Sequence, residues 1–188
     1  ARVIYNSSKN FSNRRMVGSS VNSKIRILSL ARLADQKDFA TLSKALKIST
    51  NSSICVDNYG GGDVEEYKRK YGSDKLRFLG ESERLDKIIC NYNYGILISN
   101  YEGMPISLLE MLSAGLRLIA TDVGGVAEII TSDVDGQLIP KHDVHELAKT
   151  FNSLTKKSDI KSKNNEYKWN ELFSPQTYNS KLLNYAKD

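Results

Sequence analysis

From residue 25 onward, short apolar runs alternate with segments whose apolar residues recur three or four positions apart. Runs at residues 25–30, 53–56, 76–79, 94–98, 116–120 and 137–139 read as strands, because a short unbroken apolar stretch is what a strand covered on both faces presents. Between them, Phe39, Leu42, Ala45 and Leu46 fall at helical spacing, as do residues 64–71, the group Leu85, Ile88 and Ile89, residues 105–114 and residues 126–130. Asp143, with Glu146 three positions on, forms a capping-box start for another helix. Ser174-Pro175 opens the last helix, with Ser as N-cap and Pro in the first turn. The polar, lysine-rich residues 155–165 read as a loop. Residues 1–24 are mixed: Val3-Ile4-Tyr5 is a candidate short strand, and residues 6–23, rich in Ser and Asn, read as a linker.

Strands alternating with helices over short connections predict an α/β fold, a Rossmann-like doubly wound parallel sheet of about six strands with right-handed crossovers. The expected layout is a linker over residues 1–24 and one domain over residues 25–188. Ligands of such sheets bind at the carboxyl ends of strands. The loops after Leu30, Val56, Leu79, Ile98 and Ala120 are therefore the places to look.

The chain has 188 residues, enough for one well-cored domain. No apolar run approaches the roughly 20 residues that cross a bilayer, and residues 1–10 hold no apolar signal-peptide core. The first residue is Ala rather than Met, which reads as a piece of a longer protein. Net charge is +5, but the lysines are scattered without a dense basic tract, so a solvated surface is the reading and nucleic acid is not. Cys55 and Cys90 lie far apart in apolar stretches and form no Cys-x-x-Cys, which points to free, buried thiols in a reducing cytosol. His142 and His145 sit at a helix start and read as surface residues.

The chemistry concentrates between Asn100 and Gly115. Pro105 suits a first helical turn and Gly115 a C-terminal cap. Ile106, Leu108, Leu109, Met111 and Leu112 point nearly all round, which predicts a buried helix with Glu110 in its middle. A buried carboxylate needs a partner. An internal Lys or Arg, or the hydroxyls of a ligand in a cleft, would serve equally. The amides of residues 103–106, at a helix start just past a strand end, suit phosphate. Glu102 stands at the mouth of the same loop, where a first-turn acid is also simply favourable.

The run Tyr101-Glu102-Gly103-Met104-Pro105-Ile106-Ser107-Leu108-Leu109-Glu110, a Glu-x7-Glu, resembles the signature of the retaining GT-B glycosyltransferases called group 1, or family four. The stretch from Thr121 to Ile130 with Gly124-Gly125, the stretch from Asp135 to Ile139, Ala31-Arg32-Leu33 with Lys37, Phe78-Leu79-Gly80 and Val3-Ile4-Tyr5-Asn6 resemble that family too, in its order, over roughly residues 1–150. The resemblance implies the donor-binding half of a GT-B enzyme that transfers a sugar from a nucleotide-sugar such as a UDP- or GDP-sugar, with retention, in polysaccharide or glycoconjugate biosynthesis. It implies that Arg32 and Lys37 bind the diphosphate and that Glu102 contacts the donor sugar together with Gly103, Met104, Pro105 and Ile106. It further implies that Glu110 holds the ribose hydroxyls and that Gly80 borders the base. Gly60-Gly61-Gly62 either approaches the ligand closely or forms a flexible turn. No metal is expected, no Asp-x-Asp being assigned to the site.

Some positions depart from the family pattern. Ala31 replaces a glycine, Leu116-Arg117-Leu118 replaces a Gly-x-Pro, and the N-terminal half with its acceptor site and histidine is missing. The isolated chain is thus expected to bind donor weakly and transfer little. The partners implied are the missing half, an acceptor saccharide or lipid-linked glycan, and the inner face of the membrane through that half, with a cytoplasmic location. The alternative is a non-catalytic nucleotide-sugar-binding or interaction module. A dinucleotide dehydrogenase is disfavoured, since no Gly-x-Gly-x-x-Gly follows the first strand.

Overall fold

The structure, a computed structural model, describes residues 4–11, 24–155 and 163–185. Its elements in chain order are β1 (Ile25–Leu30), α1 (Phe39–Ile48), β2 (Ile54–Tyr59), α2 (Val64–Tyr71), β3 (Leu76–Phe78), α3 (Leu85–Ile88), β4 (Tyr94–Leu97), α4 (Ile106–Ser113), β5 (Arg117–Thr121), α5 (Val126–Ile129), β6 (Gly136–Ile139), α6 (Val144–Ser153), α7 (Lys163–Phe173) and α8 (Pro175–Tyr185). The six strands form one parallel sheet in the order β3-β2-β1-β4-β5-β6. This is the doubly wound arrangement expected. The order reverses between β1 and β4, and the loops leaving those two strands diverge there to open a crevice.

The strand runs are apolar because both faces are covered: Ile27, Leu28, Val56, Ile96 and Leu118 are fully buried. Strand β2 continues to Tyr59, past the polar pair where the apolar run ends. Asp57 and Asn58 are wholly buried, and each is satisfied. Asp57 accepts from Arg77 Nε (2.6 Å) and Nη2 (2.9 Å), from the Tyr92 hydroxyl (2.7 Å) and from Arg26 Nη2 (3.1 Å). Burial alone would raise the Asp57 pKa, but these hydrogen bonds outweigh it and hold the carboxyl below its usual range. Burial, with the Asp57 carboxylate beside it, raises the pKa of the Tyr92 hydroxyl. Asn58 accepts from Ser29 Oγ (2.7 Å) and donates to the Ala31 carbonyl (3.1 Å).

Helix α7 is absent from the sequence-based expectation, which ran residues 155–165 as a loop; residues 156–162 lie outside the described ones. Its apolar stripe is narrow, with Asn165, Trp169 and Phe173 buried at four-residue spacing, and one of the three is polar. The Asn165 amide donates to the carbonyl of Leu116 (2.8 Å). Ile4 and Tyr5 are not in a strand, and Val3 lies outside the described residues, as do residues 12–23 of the expected linker. Residues 4–11 instead pack on the domain. Tyr5 meets Phe173 ring to ring at 5.4 Å, Trp169 Nε1 donates to Ser8 Oγ (2.8 Å), and Phe11 is buried in the core.

The helix ends follow their caps. Asp143 accepts from the Glu146 amide (2.9 Å), but the Glu146 carboxylate turns to Lys149, so only half of the capping box forms. Ser174 Oγ accepts from the Thr177 amide (3.2 Å) at the start of α8. Pro105 is the N-cap of α4 rather than a residue of its first turn, and Gly115 follows its end at φ +75°. Among the described residues no helix is long and apolar enough to cross a membrane.

Candidate functional site

The crevice is built by the loops leaving β1 and β4, which are zipped together. The Asp38 amide donates to Ile98 O (3.0 Å), the Asn100 amide to Gln36 O (2.8 Å), and Gln36 Nε2 to Tyr101 O (2.8 Å). Asp38 also caps α1 by accepting from the Thr41 amide (3.0 Å). Lys37, the residue before that cap, is thereby aimed across the crevice and forms an ion pair with Glu102. Ser99 Oγ donates to the same carboxylate oxygen at 2.7 Å. The two charged side chains are only 12% and 8% exposed. Lys37 is therefore not a solvated surface cation: its charge faces Glu102. Arg32, by contrast, is exposed on the same loop, without an ion pair to a described residue.

Gly103 leads into α4, and a Cβ added there would meet nothing within 4 Å, so its face is open. Pro105 caps α4 without a side-chain bond, and helix geometry leaves the amides of Ile106 and Ser107 with no intrahelical acceptor. The floor comes from the loop after β5: the Gly125 amide donates to Gly103 O (2.8 Å), and a Cβ on Gly124 (φ +54°) would stand 1.8 Å from Glu102 O. Those two glycines let one loop rest directly on the next. α4 is not buried all round. Ile106 is 51% exposed, and Met104, Ser107 and Glu110 are partly so, along the edge that faces the crevice.

Glu110 borders two adjoining cavities. One, of about 500 Å³, is lined by Leu30, Tyr59, Gly60, Ser82 and Leu85 among others; the second, of about 620 Å³, is lined by Lys9, Phe11, Glu83 and Asp86 among others. Among the described residues nothing donates to the Glu110 carboxylate, so the internal Lys or Arg partner weighed from the sequence is not there. Burial pushes its pKa up, and the charge of Lys9 acts in the opposite direction. Gly80, at φ +76°, does not line either cavity. Its carbonyl accepts from the Gly60 amide (3.0 Å), and the residues after it, Glu81 and Ser82, form the rim. Gly60 lines the cavity too, but its close approach is to backbone: a Cβ there would lie 2.0 Å from Ala31 O.

The remaining candidates fall elsewhere. Cys55 and Cys90 are free and buried. His145 is exposed; His142, at φ +62°, is exposed but not idle, its Nδ1 standing 2.8 Å from Asp38 Oδ2. The chain does contain one Asp-x-Asp, Asp133-Val134-Asp135, which the sequence reading leaves out of account. It precedes β6, at the sheet end opposite the crevice, and Asp135 is engaged by Lys168 (2.6 Å) and by the Thr131 and Ser132 amides. Among the described residues no group of three or more His, Cys, Asp or Glu side chains is placed to hold a metal ion. Sequence reasoning passed over Ser99 and Lys9, which announce themselves by no motif.

A sequence model for the family described as glycosyl transferases group 1 matches residues 12–170. The chain belongs to that family. It is 26% identical over 144 residues to the amylovoran biosynthesis glycosyltransferase AmsK of Erwinia amylovora, covering 69% of this chain and 35% of that one. It is 27% identical over 142 residues to the Escherichia coli UDP-Gal:alpha-D-GlcNAc-diphosphoundecaprenol alpha-1,3-galactosyltransferase, covering 70% and 36%. The chain thus spans about a third of the length of these relatives. Among solved structures, sucrose-phosphate synthase from Thermosynechococcus elongatus superposes with a TM-score of 0.83 at 20% identity, over 99% of this chain and 52% of that one. The Anabaena protein HepE in complex with UDP-glucose gives 0.79 at 18% identity, over 99% and 57%. The likeness shows the fold of a GT-B half: a group 1 glycosyltransferase domain whose sheet, crevice and Glu-x7-Glu segment occupy one structural unit.

Proposed function

We propose that this domain binds the nucleotide-sugar donor of a retaining glycosyltransferase that builds a polysaccharide or other glycan. The observation that carries the reading is the Glu110 carboxylate, partly buried at the wall of an open cavity beside the switch point, with no protein donor to satisfy it. Ribose hydroxyls would supply the missing donors. The free amides of Ile106 and Ser107 and the helix dipole would meet the diphosphate. Lys37 has two ammonium hydrogens beyond the one facing Glu102, and Arg32 is free to swing in from solvent. Charge building on the departing diphosphate would be stabilised by these cations and amides, which is how the site would lower the barrier. Glu102, held by Lys37 and Ser99, would receive hydroxyls of the donor sugar.

The names of the relatives agree with that chemistry: one uses UDP-galactose and a lipid diphosphate acceptor, and another was solved with UDP-glucose. The acceptor, a saccharide or lipid-linked glycan, would be bound by a second half of the enzyme, which would also make any contact with the membrane. The cytoplasm is where such a donor would be met. Amide NMR titration of this chain with UDP and GDP tests the reading. Resonances near Gly103 and Glu110 should move, with a dissociation constant from high micromolar to millimolar, a ~4–6 kcal/mol interaction for a half-site. Silence at several millimolar of both nucleotides would overturn it.

A further inference from the structure

The second cavity at Glu110 has one cation among its described lining residues, and that cation comes from outside the sheet and its helices. Lys9 lies in the segment that precedes β1, which the sequence reads as linker. Two anchors flank it. On one side Ser8 Oγ takes a hydrogen bond from the buried Trp169 Nε1 (2.8 Å). On the other, Phe11 is buried in the core and its amide donates to Ser113 Oγ (3.1 Å). The Lys9 carbonyl itself lies within reach of the Ser113 hydroxyl (3.2 Å), and that hydroxyl also reaches Glu110 O (2.7 Å), one turn up the same helix. Residues 8–11 are thus a strap fastened to the C-terminal turn of α4, directly below the carboxylate.

Resting on the donor-site reading, we propose that Lys9 is a positioning residue: a cation held by this strap as the counter-charge of Glu110, so that the carboxylate stays an acceptor for ribose hydroxyls. The charged side chains lining the two cavities are Lys9 from the strap, and Glu81, Glu83, Asp86 and Glu110. Neither lining includes a charged residue of the sheet or of α7. Without Lys9, four carboxylates would share the region with no cation. Repulsion would then favour protonating Glu110, the one that burial already disfavours as an anion. A protonated carboxyl keeps one donor of its own and loses acceptor strength, and four carboxylates would also repel the donor's diphosphate. Lys9 acts through Glu110 and needs no contact with the nucleotide.

The test uses this chain labelled with ¹³C at the glutamate carboxyl carbon, as wild type, Lys9→Met, Lys9→Arg and Glu110→Gln, the last to assign the Glu110 resonance. In nucleotide-free protein the Glu110 titration midpoint should rise in Lys9→Met and return toward wild type in Lys9→Arg. Trp169 fluorescence should stay unchanged in both, showing the strap still seated. UDP affinity, followed from pH 4 to pH 8, should fall on acidification, and in Lys9→Met that fall should begin at correspondingly higher pH. In the Glu110→Gln background the Lys9→Met change should have no further effect. An unmoved midpoint overturns the proposal, as does a loss of affinity that persists in full in the Glu110→Gln background, which would make Lys9 a direct nucleotide contact. If the wild type binds neither UDP nor GDP, the donor-site reading fails, while the midpoint still decides whether Lys9 and Glu110 are a working pair.

Discussion

Arg32 and Lys37 are two cations of one loop, and their surroundings separate what each substitution should do. Arg32 is exposed and holds nothing else in place. In the full-length enzyme Arg32→Ala should lower transfer rate, while the melting temperature of this chain stays where it was. Lys37 is buried against Glu102, so Lys37→Ala should lower transfer rate and also cost about 3 kcal/mol of stability, because it leaves a buried carboxylate with only the Ser99 hydroxyl. Denaturant unfolding of this chain and a transfer assay on the full enzyme read the two effects. A wild-type rate for Arg32→Ala would remove that residue from the site. An unchanged stability for Lys37→Ala would mean that the Lys37–Glu102 pair is not maintained in solution. Residue identities at the site were legible in the sequence because the motif fixes them; the pairing was not. Nothing in the spacing of Lys37 and Glu102 says that two loops 65 positions apart are zipped together by the backbone of residues 36–38 and 98–101.

Among the elements, β2 and α7 are where pattern and structure part, and for related reasons. Each places polar side chains inside: Asp57 and Asn58 in β2, Asn165 in α7. A periodicity argument counts them as surface, and only the tertiary partners, Arg26, Arg77 and Tyr92 for Asp57, turn them into core. β1 and α2 match their expected bounds because nothing polar interrupts the first and the second begins at an Asp63 cap. The Asp57 cluster has a consequence in acid. Its folded pKa lies below the unfolded value of about 3.9, so its contribution is present above about pH 4 and is lost as pH falls through the folded value. Asp38 and Asp135 shift the same way and add to the slope. Asp57→Asn should cost about 2–4 kcal/mol at pH 7, less than a fully enclosed triad because Arg77 is half exposed. It should also flatten the loss of stability between about pH 5 and pH 2. Urea titrations of both proteins across that range check it; parallel pH profiles would show that Asp57 is not the group responsible.

For the whole molecule, the sheet order and its switch point were legible because short apolar runs alternating with helices leave few topologies. The Glu-x7-Glu segment marked the crevice within that frame. What the sequence could not show is that the strand of chain before β1 returns to the same crevice. Its anchors, Ser8 to Trp169 and Phe11 to Ser113, join residues more than 100 positions apart. The central claim is that Glu110 awaits a ligand rather than an internal partner, and Glu110→Gln tests it in one thermal melt and one nucleotide titration. Because its folded pKa is raised, ionising Glu110 above its unfolded value of about 4.3 costs stability, a cost that grows as pH rises through the folded value. At neutral pH the variant should therefore melt at the wild-type temperature or above it, while UDP or GDP binding weakens by about 1–3 kcal/mol. A large loss of stability with unaltered nucleotide affinity would contradict the account and make Glu110 a structural residue.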